Sequence, residues 1–494
     1  MNAQPSALDR VLGLCDLAAG IVRGTARADE VERIRVRLQG PLRVAIAGRV
    51  KAGKSTLLNA LVGERLAPTD AGECTKMVTW YQDGLTYDVH AIGRDGVARP
   101  LAFQRIDGAL RVELAGVDPE TIERVVVTWP SAALRDVTLI DTPGLASIDD
   151  SNSLRTREFL AMGEDRPSDA DAVIYLMRHL HRRDAEFLGA FLDRSVAASS
   201  PINAVSVLSR ADEIGACRLD AMASAARIAD RYQRDPVVRT LCTNVVPIAG
   251  LIAETGLTLR EDEAAALRLL ADTPDEVLER MLLSADGFCD GESSDLTIEL
   301  RRGLLDRFGL CGLRLMMHDV QSGRCKTAVD MSNRLVADSG LDELRRLIAE
   351  RFLPRARVLQ ARTGLGALRN LARAITAEDP TQGRQLDAEV ERVESSVLDF
   401  AQLRLAHLVL SGIVRFSTDE RDEMERLLAV DTPVRARLAL DEAAATADVT
   451  GAALDAVGRW RTRSADPMHD SASAEACETM AHSFEALYAQ ATAT

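Results

Sequence analysis

The chain has 494 residues, of which 47% are hydrophobic and 27% charged, a balance that is ordinary for a globular protein and excludes disorder as its main state. The net charge of -15 would repel the phosphate backbone of a duplex, so we predict no nucleic-acid partner. Aromatic residues make up only 4%, which favours an aliphatic core and a large helical content.

The order of predicted elements divides the chain into two parts. A helical pattern over residues 5–38 ends at Gly40 and Pro41, and apolar strands then alternate with helices as far as residue 248. This alternation predicts a mostly parallel α/β sheet, and the pattern beyond residue 255 is helical only. The predicted strands are 42–48, 77–81, 87–92, 123–128, 137–140, 172–177, 202–208 and 244–248. The predicted helices include 55–66, 257–270, 274–283, 296–321, 342–375, 387–414 and 418–430, with a turn at 379–383 and two more helices before the end.

The eight cysteines form no CxxC pair and show no zinc-ligand spacing with histidine. We therefore expect them to be reduced, mostly buried small hydrophobes in a cytosolic protein. The sequence contains neither a pattern typical of a signal peptide nor an apolar stretch of 18 residues, so we expect no leader and no membrane-spanning helix.

Lysine is scarce, since only four of the 60 basic residues are lysine. A GC-rich genome favours arginine codons and accounts for the scarcity. It does not account for the clustering of three of the four at Lys51, Lys54 and Lys76.

Two of these lysines lie in a phosphate-binding pattern, GxxxxGK[ST], between a predicted strand and a predicted helix. In such a loop the backbone N–H groups surround phosphate oxygens, and the helix N-terminus adds positive potential. Lys54 would reach the β- and γ-phosphates, and the Ser55 hydroxyl would bind Mg²⁺. The predicted nucleotide-binding residues of this loop are Gly48, Arg49, Val50, Ala52, Gly53, Lys54, Ser55 and Thr56.

A second motif, DTPG, directly follows the predicted strand 137–140. Asp141 at the end of that strand would hold the Mg²⁺ shell, and the N–H of Gly144 would sense the γ-phosphate. A threonine between the two motifs should close on Mg²⁺ and the γ-phosphate. Thr75 is our candidate for this catalytic and metal-binding role, and Thr69 is the alternative.

Base specificity is expected at a third strand end, where Ser209 and Arg210 precede Asp212. An aspartate carboxylate can accept both N1–H and the exocyclic N2–H of guanine, a pair of donors that adenine lacks. GTPases usually have [NT]KxD here, so Ser209 and Arg210 depart from the pattern, although Arg210 can still stack over the base. Ala249 and Gly250 would contact the base again. GTP and GDP are therefore the predicted nucleotides, with Mg²⁺ as the metal.

Taken together, these residues resemble the bacterial dynamin-like GTPases. The resemblance is carried by GRVKAGKSTLLNAL from residue 48 and GECTKMVTW from residue 72. It continues in RFGLCGLR from residue 307 and SGLDELRRLIAERF from residue 339, which are similar to the actinobacterial branch and, within it, to the isoniazid-inducible dynamin-like proteins of mycobacteria. The resemblance implies a P-loop GTPase domain, an all-α neck and trunk, and self-association linked to nucleotide.

The resemblance also implies a domain organisation and a location. Residues 1–40 would be neck helices that pack on the C-terminal helices, residues 41–345 the GTPase domain, and residues 346–494 a helical neck and trunk with a membrane-interacting tip. We expect a cytoplasmic protein, peripheral on the cytoplasmic face of the cell membrane, with anionic inner-membrane lipid as a partner. The segments 304–320 and 403–416 could form the tip, the second ranking higher, and core packing is the alternative for both.

One departure from the family pattern concerns catalysis. Eukaryotic dynamins carry Gln and Ser where this chain has Val50 and Lys51, and Val50 cannot position an attacking water. Lys51 could instead offset developing negative charge, or it could only strengthen phosphate binding. Leu145 stands where Ras-type enzymes have Gln, so we expect slow basal hydrolysis that rises when two GTPase domains meet, in a homodimer or with a dynamin-like paralogue.

Two other functions remain open at this point. The first is a soluble regulatory GTPase switch whose helical half docks a protein partner or the ribosome. The second is a scaffold that binds nucleotide without significant turnover.

Overall fold

The computed structural model begins with two helices, α1 (Ala7–Ile21) and α2 (Ala28–Gln39). The expectation of continuous helix over 5–38 is wrong at residues 22–27, because Gly24 adopts a φ of 80° and the chain turns there. The residues that the structure describes are 6–68, 77–106, 108–114, 117–143, 169–179, 203–242, 244–290, 296–412, 414–429 and 432–493.

The described strands form a nine-stranded sheet and a separate two-stranded hairpin. The strands are β1 (Leu42–Gly48), β2 (Val78–Gln82), β3 (Asp88–Gly93), β4 (Ala98–Pro100), β5 (Ala102–Ile106), β6 (Ala109–Glu113), β7 (Ile122–Thr128), β8 (Val137–Asp141), β9 (Ala172–Met177), β10 (Ala204–Ser209) and β11 (Val245–Ile248). The order in the large sheet is β11-β10-β9-β1-β8-β2-β7-β3-β4, and the strands from β11 to β8 are all parallel. The predicted mostly parallel α/β sheet is therefore confirmed.

The helices that follow β1 are numbered in chain order. They are α3 (Lys54–Val62), α4 (Ala221–Arg234), α5 (Pro236–Leu241), α6 (Gly250–Leu257), α7 (Glu261–Ala271), α8 (Asp275–Met281), α9 (Ala285–Asp290), α10 (Ile298–Gln321), α11 (Ala328–Asp338), α12 (Leu341–Leu347), α13 (Ala356–Thr376), α14 (Pro380–Ser396), α15 (Leu398–Ser411), α16 (Thr418–Leu428), α17 (Val434–Arg437), α18 (Thr446–Ser464) and α19 (Ser471–Ala493). An all-α C-terminal region after the sheet is thus confirmed.

Several predicted helix boundaries are wrong in informative ways. The prediction 257–270 spans a break between α6 and α7. The prediction 342–375 is interrupted by a π-helical turn (Ile348–Phe352) and a 3₁₀ turn (Leu353–Arg355) that contains Pro354. The prediction 387–414 divides at Val397 into α14 and α15. The predicted turn 379–383 begins α14 instead, since the Asp379 carboxylate caps the N–H groups of Thr381 and Gln382.

The two N-terminal helices pack on helices from the far end of the chain. Helices α1 and α2 contact α13, and α1 also contacts α14. The approach is close at Gly364, where a Cβ atom would lie 2.7 Å from Leu38 Cδ2. The carboxylate of Asp171, just before β9, ties this bundle to the sheet by accepting from Arg43 N at 3.0 Å and from Thr363 Oγ1 at 2.7 Å. A polar contact therefore joins the sheet to the helical bundle.

Both segments considered for the membrane tip supply core side chains. In 304–320, Phe308 and Met316 are fully buried against α7 and its neighbours. In 403–416, Leu405 and Phe416 are buried in a C-terminal core with α16, α18 and α19. These burials favour core packing, the alternative for both segments, because these apolar side chains already contribute to a core. Within the described ranges, the helices lack the length and apolarity needed to cross a bilayer.

The cysteines differ from expectation at one pair. Cys217 and Cys311 form a disulfide with a Cα–Cα distance of 4.7 Å across a sequence separation of 94 residues. The expectation of fully reduced cysteines is wrong here, because the fold brings the loop after β10 against α10. The other described cysteines are free and buried, namely Cys15, Cys242, Cys289, Cys325 and Cys477.

Candidate functional site: a phosphate- and base-binding edge

The strand register brings the predicted motifs to one edge of the sheet. Gly48 at the end of β1 is aligned with Leu176 of β9, and Ile46 is aligned with Asp141 at the end of β8. Ser209 at the end of β10 is aligned with Ile248 of β11. Because these strands are parallel, their carboxyl ends meet at the crevice where open α/β sheets bind ligands.

The loop between β1 and α3 needs its glycines. A Cβ atom on Gly48 would lie 2.5 Å from the carbonyl oxygen of Leu176, so only glycine lets β1 approach β9 here. Gly53 has a φ of 92° and precedes the first residue of α3. Lys51 also has a positive φ, 61°, which a non-glycine residue adopts at a cost. Strained backbone of this kind clusters at ligand-binding loops.

Lys54 is buried at the centre of this loop. Its side chain is 8% exposed, and Nζ donates to the carbonyl oxygens of Gly48 and Arg49 at 3.3 Å each. Burial lowers the pKa of Lys54, and the nearby Asp141 opposes that shift. An ammonium group has three N–H donors, so a bound anion can take the third. A phosphate oxygen would supply the negative charge that this buried cation needs.

Ser55 and Asp141, the predicted Mg²⁺ ligands, lie beside this loop and contact each other. Ser55 Oγ donates to Asp141 Oδ2 at 2.7 Å. Burial raises the pKa of Asp141, opposed by Lys54 and Ser55. Its other oxygen, Oδ1, is buried and has no hydrogen-bond partner among the described residues. A hydroxyl and a carboxylate with a spare oxygen match the hard oxygen ligands that Mg²⁺ prefers, so these residues fit the metal.

Two residues that stabilise this edge of the sheet were not predicted from the sequence. Thr142 Oγ1 donates to the carbonyl oxygen of Ile46 at 2.9 Å, which fixes the chain directly after Asp141 against β1. The Asn59 side chain pairs with both backbone groups of Ala67, at 3.0 and 2.7 Å, just before the segment that contains Thr69. The strand-end position of Thr142 offered a signal, whereas the Asn59 contact depends on the path of the loop.

The predicted base-binding residues lie at the end of β10. Ser209 is buried and its Oγ donates to the carbonyl oxygen of Met177 at 3.2 Å, so it serves as a structural link between β10 and β9. Arg210 has a φ of 53° and an exposed guanidinium group. Burial raises the pKa of Asp212 from 3.8 to about 6. A backbone hydrogen bond and the charge of Arg210 oppose this shift only in part, and two N–H donors of a base could oppose it further.

Glu213 organises the arginines beside Asp212. Its carboxylate accepts from Arg210 Nη1 at 2.7 Å and from Arg178 Nη2 at 3.4 Å. Arg178 follows β9 and therefore lies at the same edge as Arg210. Arg178 was not among the predicted residues, because only the strand order reveals this contact.

Ala249 and Gly250 follow β11, as the sequence predicts for a second base contact. Ala249 is fully buried, and its N–H donates to the carbonyl oxygen of Ser339 at 2.9 Å. Its backbone donor is therefore already used. Gly250 begins α6 and lies against α3, since a Cβ atom there would be 3.8 Å from Thr56 Cγ2.

Of the remaining predicted site residues, those of the β1–α3 loop are described and the others are not. Arg49, Val50 and Lys51 are exposed on the loop, and Ala52 is buried beneath it. Thr75, its alternative Thr69, and Gly144 lie outside the described residues.

Comparison with known proteins gives the family of this chain. Residues 44–195 match the family model described as the dynamin family. The chain is 36% identical over 466 residues to the isoniazid-induced protein IniC of Mycobacterium tuberculosis, which covers 93% of this chain and 92% of that protein. The chain belongs to the bacterial dynamin-like GTPases. The resemblance read from the sequence, including that to the isoniazid-inducible proteins, is confirmed.

Two further proteins match this dynamin-like GTPase over a shorter length or at lower identity. It is 32% identical over 152 residues to a bacterial dynamin-like protein of Nostoc punctiforme, over 28% of this chain and 21% of that protein. A solved chain from an oligomerised bacterial dynamin pair, described as sensing and tethering membranes, covers 85% of this chain and 78% of its own length. That chain is 15% identical with a TM-score of 0.31, a likeness too low to support an inference.

Proposed function

We propose that this dynamin-like GTPase hydrolyses GTP to GDP and phosphate, and couples the association of GTPase domains to binding and remodelling of the cytoplasmic membrane from its cytoplasmic face. The observation that carries the catalytic part is the convergence of Lys54, Ser55 and Asp141 at one sheet edge. Family membership supports the membrane part.

The residues at this edge of the sheet have different roles in phosphoryl transfer. The loop that begins at Gly48 surrounds the phosphates with N–H groups, and Lys54 places a buried positive charge on the β- and γ-oxygens. Ser55 and Asp141 would hold Mg²⁺, which when bound neutralises charge on the β- and γ-phosphates. Asp212 in its ionised form selects guanine over adenine.

We propose that Lys51 acts between two molecules. Lys51 and its neighbour Val50 are exposed at the tip of the loop, where a second GTPase domain could cover them. Covering this loop would exclude water and strengthen the field of Lys51 on the transferred phosphoryl group. We therefore propose that hydrolysis is slow in the monomer and rises on dimerisation.

The decisive experiment measures GTP hydrolysis per molecule against protein concentration, with and without vesicles that contain anionic lipid. A rate per molecule that rises with concentration, and rises further with vesicles, supports the proposal. A flat rate that vesicles do not change argues against domain association as the trigger. Co-sedimentation with the same vesicles, with neutral vesicles as the control, tests membrane binding separately.

A soluble regulatory switch is the second candidate function. The observation that favours it is the burial of Phe308, Leu405 and Phe416, which favours core packing over membrane insertion for the two segments considered. Protein that stays in the supernatant with anionic vesicles, with GTP and without it, would favour the switch.

A further inference from the structure

The loop after Asp212 has an unusual backbone. The three consecutive residues Gly215, Ala216 and Cys217 have φ values of 70°, 60° and 59°. Glycine adopts this left-handed region freely, whereas side chains disfavour it at the other two positions. A conformation of this kind persists only when surrounding contacts hold it.

Two contacts with α10 hold this loop. Cys217 is bonded to Cys311 through the disulfide, and Arg314 Nη1 donates to the carbonyl oxygen of Ala216 at 2.7 Å. The part of α10 that follows a kink at Gly309 supports the loop, because its Leu313 is fully buried and Arg314 also donates to the carbonyl oxygen of Leu282 at 2.7 Å. The disulfide is thus one of the links between the base-binding loop and α10, and the short turn 211–213 that contains Asp212 also contacts this helix.

The pair is also the accessible one among the cysteines that the structure describes. Cys217 and Cys311 are partly exposed, whereas the other described cysteines are buried. Burial raises the pKa of Cys15 and of Cys242 to about 11, which disfavours the reactive thiolate. Thiol–disulfide exchange is therefore favoured at Cys217 and Cys311 over the other described cysteines.

We infer that Cys217 and Cys311 form a reversible thiol–disulfide site that controls guanine-nucleotide affinity by holding or releasing the loop behind Asp212. Cys217 stands only five positions after Asp212, so release of the loop would move the carboxylate that reads the base. A dithiol would reduce the pair, and a low-molecular-weight disulfide would oxidise it. The effect on nucleotide affinity rests on the proposed GTP binding. The release of the loop does not depend on that proposal.

The exchange is balanced in both directions. For reduction, one thiolate of a dithiol attacks a sulfur of the pair to give a mixed disulfide, and its second thiolate then displaces the remaining cysteine. Two protons and two electrons convert Cys217 and Cys311 to thiols while the dithiol becomes a disulfide. For oxidation, the Cys217 thiolate attacks the small disulfide and expels one thiolate. Cys311 then attacks Cys217 Sγ and expels the second.

The first test compares GDP affinity in the two redox states. Protein is oxidised with glutathione disulfide or reduced with dithiothreitol, its bonding is verified by mass spectrometry, and a fluorescent GDP analogue is titrated. We expect reduction to weaken binding about fivefold or more, which corresponds to about 1 kcal/mol. Cys217→Ser and Cys311→Ser should bind like the reduced protein and ignore the redox state. Cys477→Ala, in the distant C-terminal core, should respond like the parent.

The second test does not depend on nucleotide. Hydrogen exchange of the amides in residues 211–220 should accelerate on reduction, whereas exchange in α18 should not change. Loss of GDP binding in both redox states, with this acceleration intact, would contradict the proposed function and leave the release of the loop standing. Equal exchange and equal GDP affinity in the two verified states would overturn the inference. A pair that glutathione disulfide does not oxidise would also overturn it.

Discussion

The Ser55 hydroxyl donates a 2.7 Å hydrogen bond to Asp141 Oδ2, although 86 residues separate the two along the chain. This contact joins the start of α3 to the end of β8, and so joins the phosphate-binding loop to the DTPG motif. It leaves Asp141 Oδ1 buried with a free lone pair among the described residues. The arrangement therefore fits the Mg²⁺ site that we propose.

Asp141→Asn should reduce Mg²⁺-dependent GTP hydrolysis by about 100-fold or more, because a bound metal supplies several kcal/mol of charge stabilisation. The measurement is phosphate release across a Mg²⁺ titration. Asp136→Asn is a matched control, since this exposed aspartate lies just before the opposite end of the same strand. A parental rate and Mg²⁺ dependence in Asp141→Asn would rule out the metal role.

Guanine binding should weaken at acidic pH. The pKa of Asp212 is raised from 3.8 to about 6 by burial, and the carboxylate must be ionised to accept from the base. As the pH falls through 6, protonation removes the acceptor, so GDP affinity at pH 5 should be about tenfold below its value above pH 7. Titration of GDP from pH 5 to pH 8 measures this dependence.

Asp212→Asn should remove this pH dependence of GDP affinity. It should also shift the base preference of the protein toward xanthine nucleotides, because the amide donates where the carboxylate accepted. Asp230→Asn, on the exposed face of α4, should keep the parental profile. An unchanged preference in Asp212→Asn would show that another group reads the base.

Gly412→Ala should destabilise the C-terminal helices. Gly412 follows α15 with a φ of 66°, and a Cβ atom there would lie 2.3 Å from Nη2 of Arg239, which donates to the carbonyl oxygen of Leu410. The left-handed conformation alone costs a side chain about 1–2 kcal/mol. Urea unfolding should show a lower free energy of unfolding.

Gly458→Ala is the control for that substitution, since Gly458 is exposed within α18 and a Cβ atom there meets nothing within 4 Å. It should stabilise the protein by about 0.5–1 kcal/mol, because alanine favours helix. If Gly412→Ala stabilised the protein equally, the packing of Arg239 on the end of α15 would be irrelevant to stability.

Lys51→Ala separates the two roles considered for this residue. If Lys51 stabilises the transition state, kcat in concentrated protein should fall by about 100-fold with little change in KM. A higher KM with the parental kcat would instead indicate that Lys51 only strengthens binding. Lys326→Ala, an exposed lysine before α11, should leave both values unchanged.

Much of the sheet could be predicted because its strands are short apolar runs. The strand 172–177 has the predicted bounds, since all its residues are buried. The hairpin of β5 and β6 was missed because most of its residues are exposed and leave no hydrophobic pattern. Helix boundaries failed where periodicity continues across a break, as at Val397 between α14 and α15.

The site could be predicted where its signal is local. Lys54 and Ser55 lie in one contiguous motif, and Asp141 follows a recognisable strand. The contact of Glu213 with Arg178 could not be predicted, because it depends on the order of β9 and β10 in the sheet. The disulfide was missed because a separation of 94 residues carries no pairing signal.

The most direct test of the phosphate site is steady-state GTP hydrolysis by the parent and by Lys54→Ala, with Lys326→Ala as the lysine control. Lys54 is the buried cation of the loop, so its removal should abolish hydrolysis and weaken nucleotide binding, while the control keeps the parental rate. Equal hydrolysis by Lys54→Ala and the parent would contradict the assignment of this edge as the GTP-binding site.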